Sequence, residues 1–201
     1  MNVQFPDMLR PLMGKLTWRK NPSEKVIYLT FDDGPVPEVT PQVLDILDQH
    51  NLKATFFCVG ENVQKYPEVY ADILQRGHRT GNHTFNHIKG FSTTATDYVE
   101  NVRKASEFIH SNLFRPPHGR FTFRQRRLLK FDYELVMWDV ITHDYNKNLT
   151  SETILENVKR YSRNGSLVVF HDSIKAKDRV LTVLPLAIEF WKAEGYQFGV
   201  L

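Results

Sequence analysis

Two adjacent carboxylates, Asp32 and Asp33, stand in the segment Thr30-Phe31-Asp32-Asp33-Gly34-Pro35. Such a pair is costly to bring together unless something positive sits beside it. In an extended segment neighbouring side chains point in different directions, so one can bind a metal while the other faces a water. Asp, Gly and Pro are also turn residues, and alone the segment reads equally well as a turn. Further along, Gly81-Asn82-His83-Thr84-Phe85-Asn86-His87 sets two histidines four apart. On a helix they would share one face and could ligate one ion. Asp33 would supply a third ligand, and three protein ligands leave positions open for water and substrate. Two histidines and one carboxylate suit zinc, and also cobalt, iron(II), manganese or nickel.

Three more segments carry polar groups. Phe114-Arg115-Pro116-Pro117-His118-Gly119 places a permanent cation before two rigid prolines. Beyond Pro117 the backbone can offer an N–H to an oxyanion, and Gly119 permits close approach. Trp138-Asp139-Val140-Ile141-Thr142-His143-Asp144-Tyr145 runs off the end of an apolar run. Leu167-Val168-Val169-Phe170-His171-Asp172 sets a histidine directly after another. Free histidine titrates near 6.5, so a carboxylate beside His171 would keep it protonated as a general acid. A purely structural histidine is the other reading.

These segments need elements to position them. Continuous β-branched and aromatic runs occur at 26–31, 54–59, 78–82, 135–140 and 166–170, with a weaker one at 113–115. Continuous rather than alternating apolarity predicts strands buried on both faces. Amphipathic stretches lie between them. Helices are expected from Thr40-Pro41, from Tyr66-Pro67 to Gly77, over 96–111, over 151–161 behind a Thr150 cap, and over 180–194. Repeated strand–helix alternation predicts an α/β fold with a parallel sheet and right-handed crossovers. In such folds sites gather at the carboxyl ends of the strands, where all five segments fall. Residues 1–24 lack a clear period and are expected to form an arm on the surface of one domain spanning 25–201.

The 201 residues, 41% hydrophobic and 24% charged, describe an ordinary globular chain. A net charge of +3 does not argue for nucleic acid as a partner. The densest basic cluster, Arg124, Arg126, Arg127 and Lys130, reads as a solvated helix face. The single cysteine, Cys58, rules out an internal disulfide and sits in an apolar run as a buried thiol. No run reaches the ~18 apolar residues of a membrane span, and Pro11, Gly14 and Lys15 interrupt any signal-peptide core. As given, the chain reads as cytoplasmic, though an exported form with a removed leader would look the same. Oligomeric state is left open.

Taken in order, the five segments resemble the polysaccharide deacetylase family, also called the NodB homology domain or carbohydrate esterase family 4, over residues 25–201. The resemblance implies a distorted (β/α) barrel in a single domain. It implies Asp32 as catalytic base and Asp33, His83 and His87 as ligands of a divalent metal, zinc foremost. Arg115 would orient Asp32, and His171 would be the general acid. Asp144 would support His171 or Arg115. Pro117, His118 and Gly119 would present the oxyanion N–H, and Trp138 and Tyr145 would wall a groove for an N-acetylated glycan or oligosaccharide. Val169 stands where the family usually has a leucine that shapes the acetyl pocket. His118, Ile141 and Tyr145 likewise depart from the usual aromatic, Asp and Trp.

Three other functions share these residues. A non-heme iron oxygenase also uses two histidines and a carboxylate, but has no use for a second carboxylate and a separate acid. A non-catalytic sugar-binding domain should have lost one of the set. A hydrolase of small amides or sugar precursors keeps all of it.

Overall fold

The structure, a computed structural model, describes residues 3–201. Met1 and Asn2 of the expected arm lie outside the described residues. Val26–Asp32 forms β1, the hub of the sheet. To one side lie β2 (Thr55–Cys58), β3 (Arg79–Asn82), β4 (Leu113–Phe114) and β5 (Glu134–Leu135). To the other lie β7 (Leu167–His171) and then β6 (Val140–Ile141). The order is β5-β4-β3-β2-β1-β7-β6, with every pairing parallel. A further strand, β8 (Gln197–Gly199), pairs with the first half of β1.

The helices are α1 (Thr40–Gln49), α2 (Gly60–Lys65), α3 (Pro67–Gln75), α4 (Ala95–Ser106), α5 (Phe123–Leu129), α6 (Ser151–Tyr161) and α7 (Lys177–Ala193). Each longer helix turns an apolar stripe inward: Val43, Leu44 and Leu47 from α1 and Val180, Val183, Leu184 and Ile188 from α7 reach one core with β1 and β7. The result is a curled parallel half-barrel in a single domain, with the parallel sheet that the strand–helix alternation predicts and the distorted barrel that the resemblance implies. Among the described residues no helix is long and apolar enough to cross a membrane.

Several boundaries differ from expectation. Thr40 is the first residue of α1, with Pro41 in its first turn. Its hydroxyl accepts from the Val36 N–H (2.8 Å) and donates to Asp172 (2.6 Å). The run 135–140 is two strands. β5 pairs with β4 and β6 with β7, so residues 136–139 cross between the two edges of the sheet.

The N-terminal segment does more than lie on the surface. Thr17 pairs in parallel with Val136, Arg19 bridges to Ser166, and the Ile141 N–H donates to the Val3 carbonyl (3.0 Å). Residues 3–24 therefore supply backbone partners along both edges of the sheet. Trp18 and Val3 are buried there, with Phe5 stacked on Trp18 at 4.9 Å.

Candidate active site

Parallel pairing brings the carboxyl ends of the strands to one face. β1 delivers Asp32 opposite His171 of β7, as register partners. The chain then leaves the strand at Asp33, which has a left-handed φ of 81°. That conformation is held from several sides. The Asp33 carbonyl accepts from the Asn62 side-chain amide (2.8 Å), and the Gly34 N–H donates to Asp172 (3.1 Å). A Cβ on Gly34 would overlap the Asp172 carboxylate.

The two histidines are not on a helix. Residues 83–89 form an irregular loop in which Thr84 and His87 have φ of 67° and 55°. The loop is strung between neighbours. The His83 N–H donates to Cys58 O (2.9 Å), Gly60 N–H to Thr84 O (2.9 Å), and Phe85 N–H to the Asn101 side chain (2.9 Å). These bonds, rather than helical spacing, bring the rings together, with centroids 5.2 Å apart.

His83 Nε2 lies 3.7 Å and His87 Nε2 3.1 Å from Asp33 Oδ1, and the three ligand atoms lie within 4.8 Å of one another. Ligands about 2.1 Å from one tetrahedral ion stand roughly 3.4 Å apart, so these spacings fit a single ion. Protonation fits too. His83 Nδ1 donates to the Arg115 carbonyl (2.7 Å), which leaves the Nε2 lone pair facing the cluster. Burial pushes the His83 pKa down to about 4, favouring the neutral, ligating form. Burial alone would raise the Asp33 pKa, but the hydrogen bond from His87 and the charges of His171 and His83 hold it well below the usual range.

Arg115 is fully buried. Its Nη1 donates to Asp32 Oδ1 (2.6 Å) and Thr30 Oγ1 (2.9 Å), its Nη2 to the Met137 carbonyl (2.9 Å), and its plane lies 4.1 Å from the Phe57 ring centroid. This fixes Oδ1 as the Asp32 oxygen that Arg115 engages. His171 Nδ1 donates to Asp144 Oδ1 (2.7 Å), and Asp144 Oδ2 accepts the His171 backbone N–H (2.8 Å). Asp144 thus partners His171, not Arg115. Burial works against the imidazolium, yet the Asp144 charge and hydrogen bond, with Asp33 and Asp32 beyond, raise the His171 pKa to about 9.

The other expected residues are placed unevenly. Pro117, His118 and Gly119 form a short turn in which the Gly119 and Arg120 N–H groups donate to Pro116 and Pro117 carbonyls. The His118 N–H is the donor this turn does not use. The His118 ring meets His87 edge-on at 4.7 Å. Gly119, with φ 64°, lies against the half-buried Trp138 ring, where a Cβ would overlap it. The Tyr145 ring packs edge-on to His171 at 4.8 Å, and its hydroxyl shares a hydrogen bond with His143 (3.0 Å). Val169 is fully buried in the sheet, one residue before Phe170 and two before His171. Its register partner on β6 is Ile141.

Asp172 carries structure that the sequence reading gave no role. It is buried, it accepts from Gly34 and Thr40, and burial raises its pKa to about 7. Its signal was its position beside His171 after a buried strand. Thr30 and Asn62 carry no comparable signal, since each acts through a partner distant in sequence.

Comparisons with known proteins agree with this geometry. The family model described as Polysaccharide deacetylase matches residues 19–134. A peptidoglycan-N-acetylglucosamine deacetylase of Bacillus cereus is 32% identical over 193 residues, covering 92% of this chain and 90% of the relative. A chitooligosaccharide deacetylase of Azorhizobium caulinodans is 34% identical over 162 residues, covering 75% of each. The crystal structure of a peptidoglycan N-acetylglucosamine deacetylase superposes with a TM-score of 0.91 at 30% identity, covering 98% of this chain and 95% of the other. The chain belongs to the polysaccharide deacetylase family, metal-dependent hydrolases that remove acetyl groups from N-acetylated sugars.

Proposed function

We propose that this chain hydrolyses the acetamide of N-acetylglucosamine units in a glycan or glycan oligomer, with zinc held by Asp33, His83 and His87. The observation that carries this is one juxtaposition. Two proton-handling groups of opposite bias, Asp32 held by Arg115 and His171 held by Asp144, flank a three-ligand cluster. A divalent ion in that cluster supplies Lewis acidity to the acetamide carbonyl and acidity to a water.

The chain's own residues do the rest. Arg115 fixes Asp32 so that Oδ2 takes a proton from the attacking water. The His118 N–H donates to the developing oxyanion. His171, protonated on both nitrogens, donates from Nε2 to the departing amine while Asp144 holds Nδ1. Acetate and a free amino sugar result. Tyr145 and His118, both exposed, would wall the groove for the glycan. The named relatives act on peptidoglycan and on chitooligosaccharides, which favours a glycan over a small amide. The catalytic domain spans 25–201, preceded by the arm 1–24, of which residues 3–24 pair with it.

The test is acetate release from N-acetylglucosamine oligomers, peptidoglycan fragments and an aryl acetate. Metal-stripped protein is compared with and without added zinc or cobalt. Metal-restored release from a sugar is expected. Asp32→Asn should keep its metal and lose about 100-fold or more in kcat. Near wild-type turnover by that variant would remove Asp32 as the base.

A further inference from the structure

The loop that carries His87 continues into Lys89, Gly90 and Phe91, and this stretch is clamped against the loop that follows His118. Gly90 packs so closely on the Arg120 carbonyl and Phe121 that a Cβ there would overlap them. The fully buried Gln125 ties the two loops together. Its Nε2 donates to the carbonyls of Gly90 (2.8 Å) and Thr93 (3.1 Å), and its Oε1 accepts the Thr122 N–H (2.8 Å). That last bond belongs to a full capping box at the start of α5. The platform is therefore fixed before any ligand arrives.

On it stand two exposed cations, Lys89 and Arg120, beside the His118 ring that meets His87. Among the described residues neither is in an ion pair. Lys89 follows His87 by two residues and Arg120 follows His118 by two, and the His87 and His118 rings meet at 4.7 Å. The neighbouring Phe91 is 66% exposed and offers an apolar face next to them. Two unneutralised cations carried on neighbouring clamped backbones create a local positive potential that an anionic substituent would relieve. The overall charge is only +3, so this concentration is local.

We propose that Lys89 and Arg120 form a cationic subsite that takes a carboxylate on the glycan, and so set a preference for acidic over neutral N-acetylated glycans. The carboxylate can belong to an ether substituent of the sugar or to a peptide attached to it. Either presents the same charge to the rim. This inference rests on the deacetylase reading above.

The experiment measures kcat/KM for metal-loaded protein on three substrates of equal sugar number: a neutral N-acetylglucosamine oligomer, a peptidoglycan fragment with its peptides, and the same fragment with peptides removed. The wild type should prefer the acidic fragments at low salt, and the preference should shrink as salt is added. In Lys89→Gln/Arg120→Gln the ratio of acidic to neutral kcat/KM should fall about tenfold, carried by KM. The conservative pair Lys89→Arg/Arg120→Lys should keep the ratio. If the double variant misfolds, the two single Gln variants are measured instead, each expected to lose about half of the effect on a logarithmic scale. A ratio unchanged in the Gln variants overturns the subsite. Preference retained after peptide removal assigns the carboxylate to the sugar, and preference lost assigns it to the peptide. Acetate from none of the substrates would instead overturn the deacetylase reading itself.

Discussion

His171 and Asp144 form the contact in which local electrostatics most directly sets chemistry. An imidazole buried this deeply should be neutral at pH 7. The Asp144 carboxylate reverses that, and the His171 pKa is raised to about 9. The folded value lies above the ordinary 6.5, so the pair's contribution to stability is fully present below about 6.5 and is lost as pH rises through about 9. A general acid must carry its proton, so kcat/KM should fall on the alkaline side over the same region. A dication in the cluster offsets the Asp33 charge and moves that limb somewhat lower. In Asp144→Asn the charge is gone while the burial stays, so the limb should move below pH 7. The variant should lose at least tenfold more activity at pH 8 than at pH 6. An alkaline limb that stays in place would remove Asp144 from control of the proton.

At the scale of elements, the turn after β1 shows how a ligand is aimed by neighbours it does not touch. Gly34 is wedged against Asp172, which hangs between the Gly34 N–H and the Thr40 hydroxyl. Gly34→Ala forces that carboxylate and the Asp33 backbone apart. Overpacking of this kind costs about 1–3 kcal/mol, and a displaced support typically costs 10–100-fold in metal affinity. A melting curve and a metal titration should show both losses together. A variant that binds zinc as tightly as the wild type would show that the wedge does not aim Asp33. The motif itself was legible in the sequence because it follows a continuous apolar strand, where a parallel sheet must place its site. The partner Asp172 was legible only as a neighbour of His171, because its work depends on α1 packing beside β7. The two histidines were legible as ligands but not as a loop. Their spacing matches a helical face, and only the positive φ at Thr84 and His87 reveals the difference. The run 135–140 looked like one strand because apolarity does not encode partners. Its middle is claimed by Arg115 at the Met137 carbonyl and by cations at Asp139.

At the scale of the whole molecule, the half-barrel leaves two edges, and residues 3–24 supply partners along them. The anchor of that cover is Asp139, fully buried on the crossing between β5 and β6. Arg10 of the N-terminal segment donates to its Oδ1 (2.6 Å), Arg163 donates to both oxygens (2.6 and 2.9 Å), and Ser166 adds a third donor (2.7 Å). Arg163 also grips Asp7, so the N-terminal segment is held from two sides. Burial would raise the Asp139 pKa, but Arg163, Ser166 and Arg10 outweigh it and bring it below the ordinary value. A depressed carboxyl stabilises the fold above its unfolded pKa of about 4 and loses that contribution as pH falls through the lower folded value. Asp139→Ala removes the one acceptor that gathers these donors and leaves Arg10 with its guanidinium half-satisfied in a buried setting. Breaking a buried pair in this way costs about 3–5 kcal/mol, which for a chain of this size lowers the melting temperature by roughly 6–20 °C. Asp139 touches none of the metal ligands, so the variant that remains folded should bind zinc with unchanged stoichiometry. The same variant should show a flatter acid limb below about pH 4 than the wild type. A melting temperature within a degree of the wild type would mean that the N-terminal segment is held by Trp18 and its neighbours alone, and that the charge cluster closes nothing.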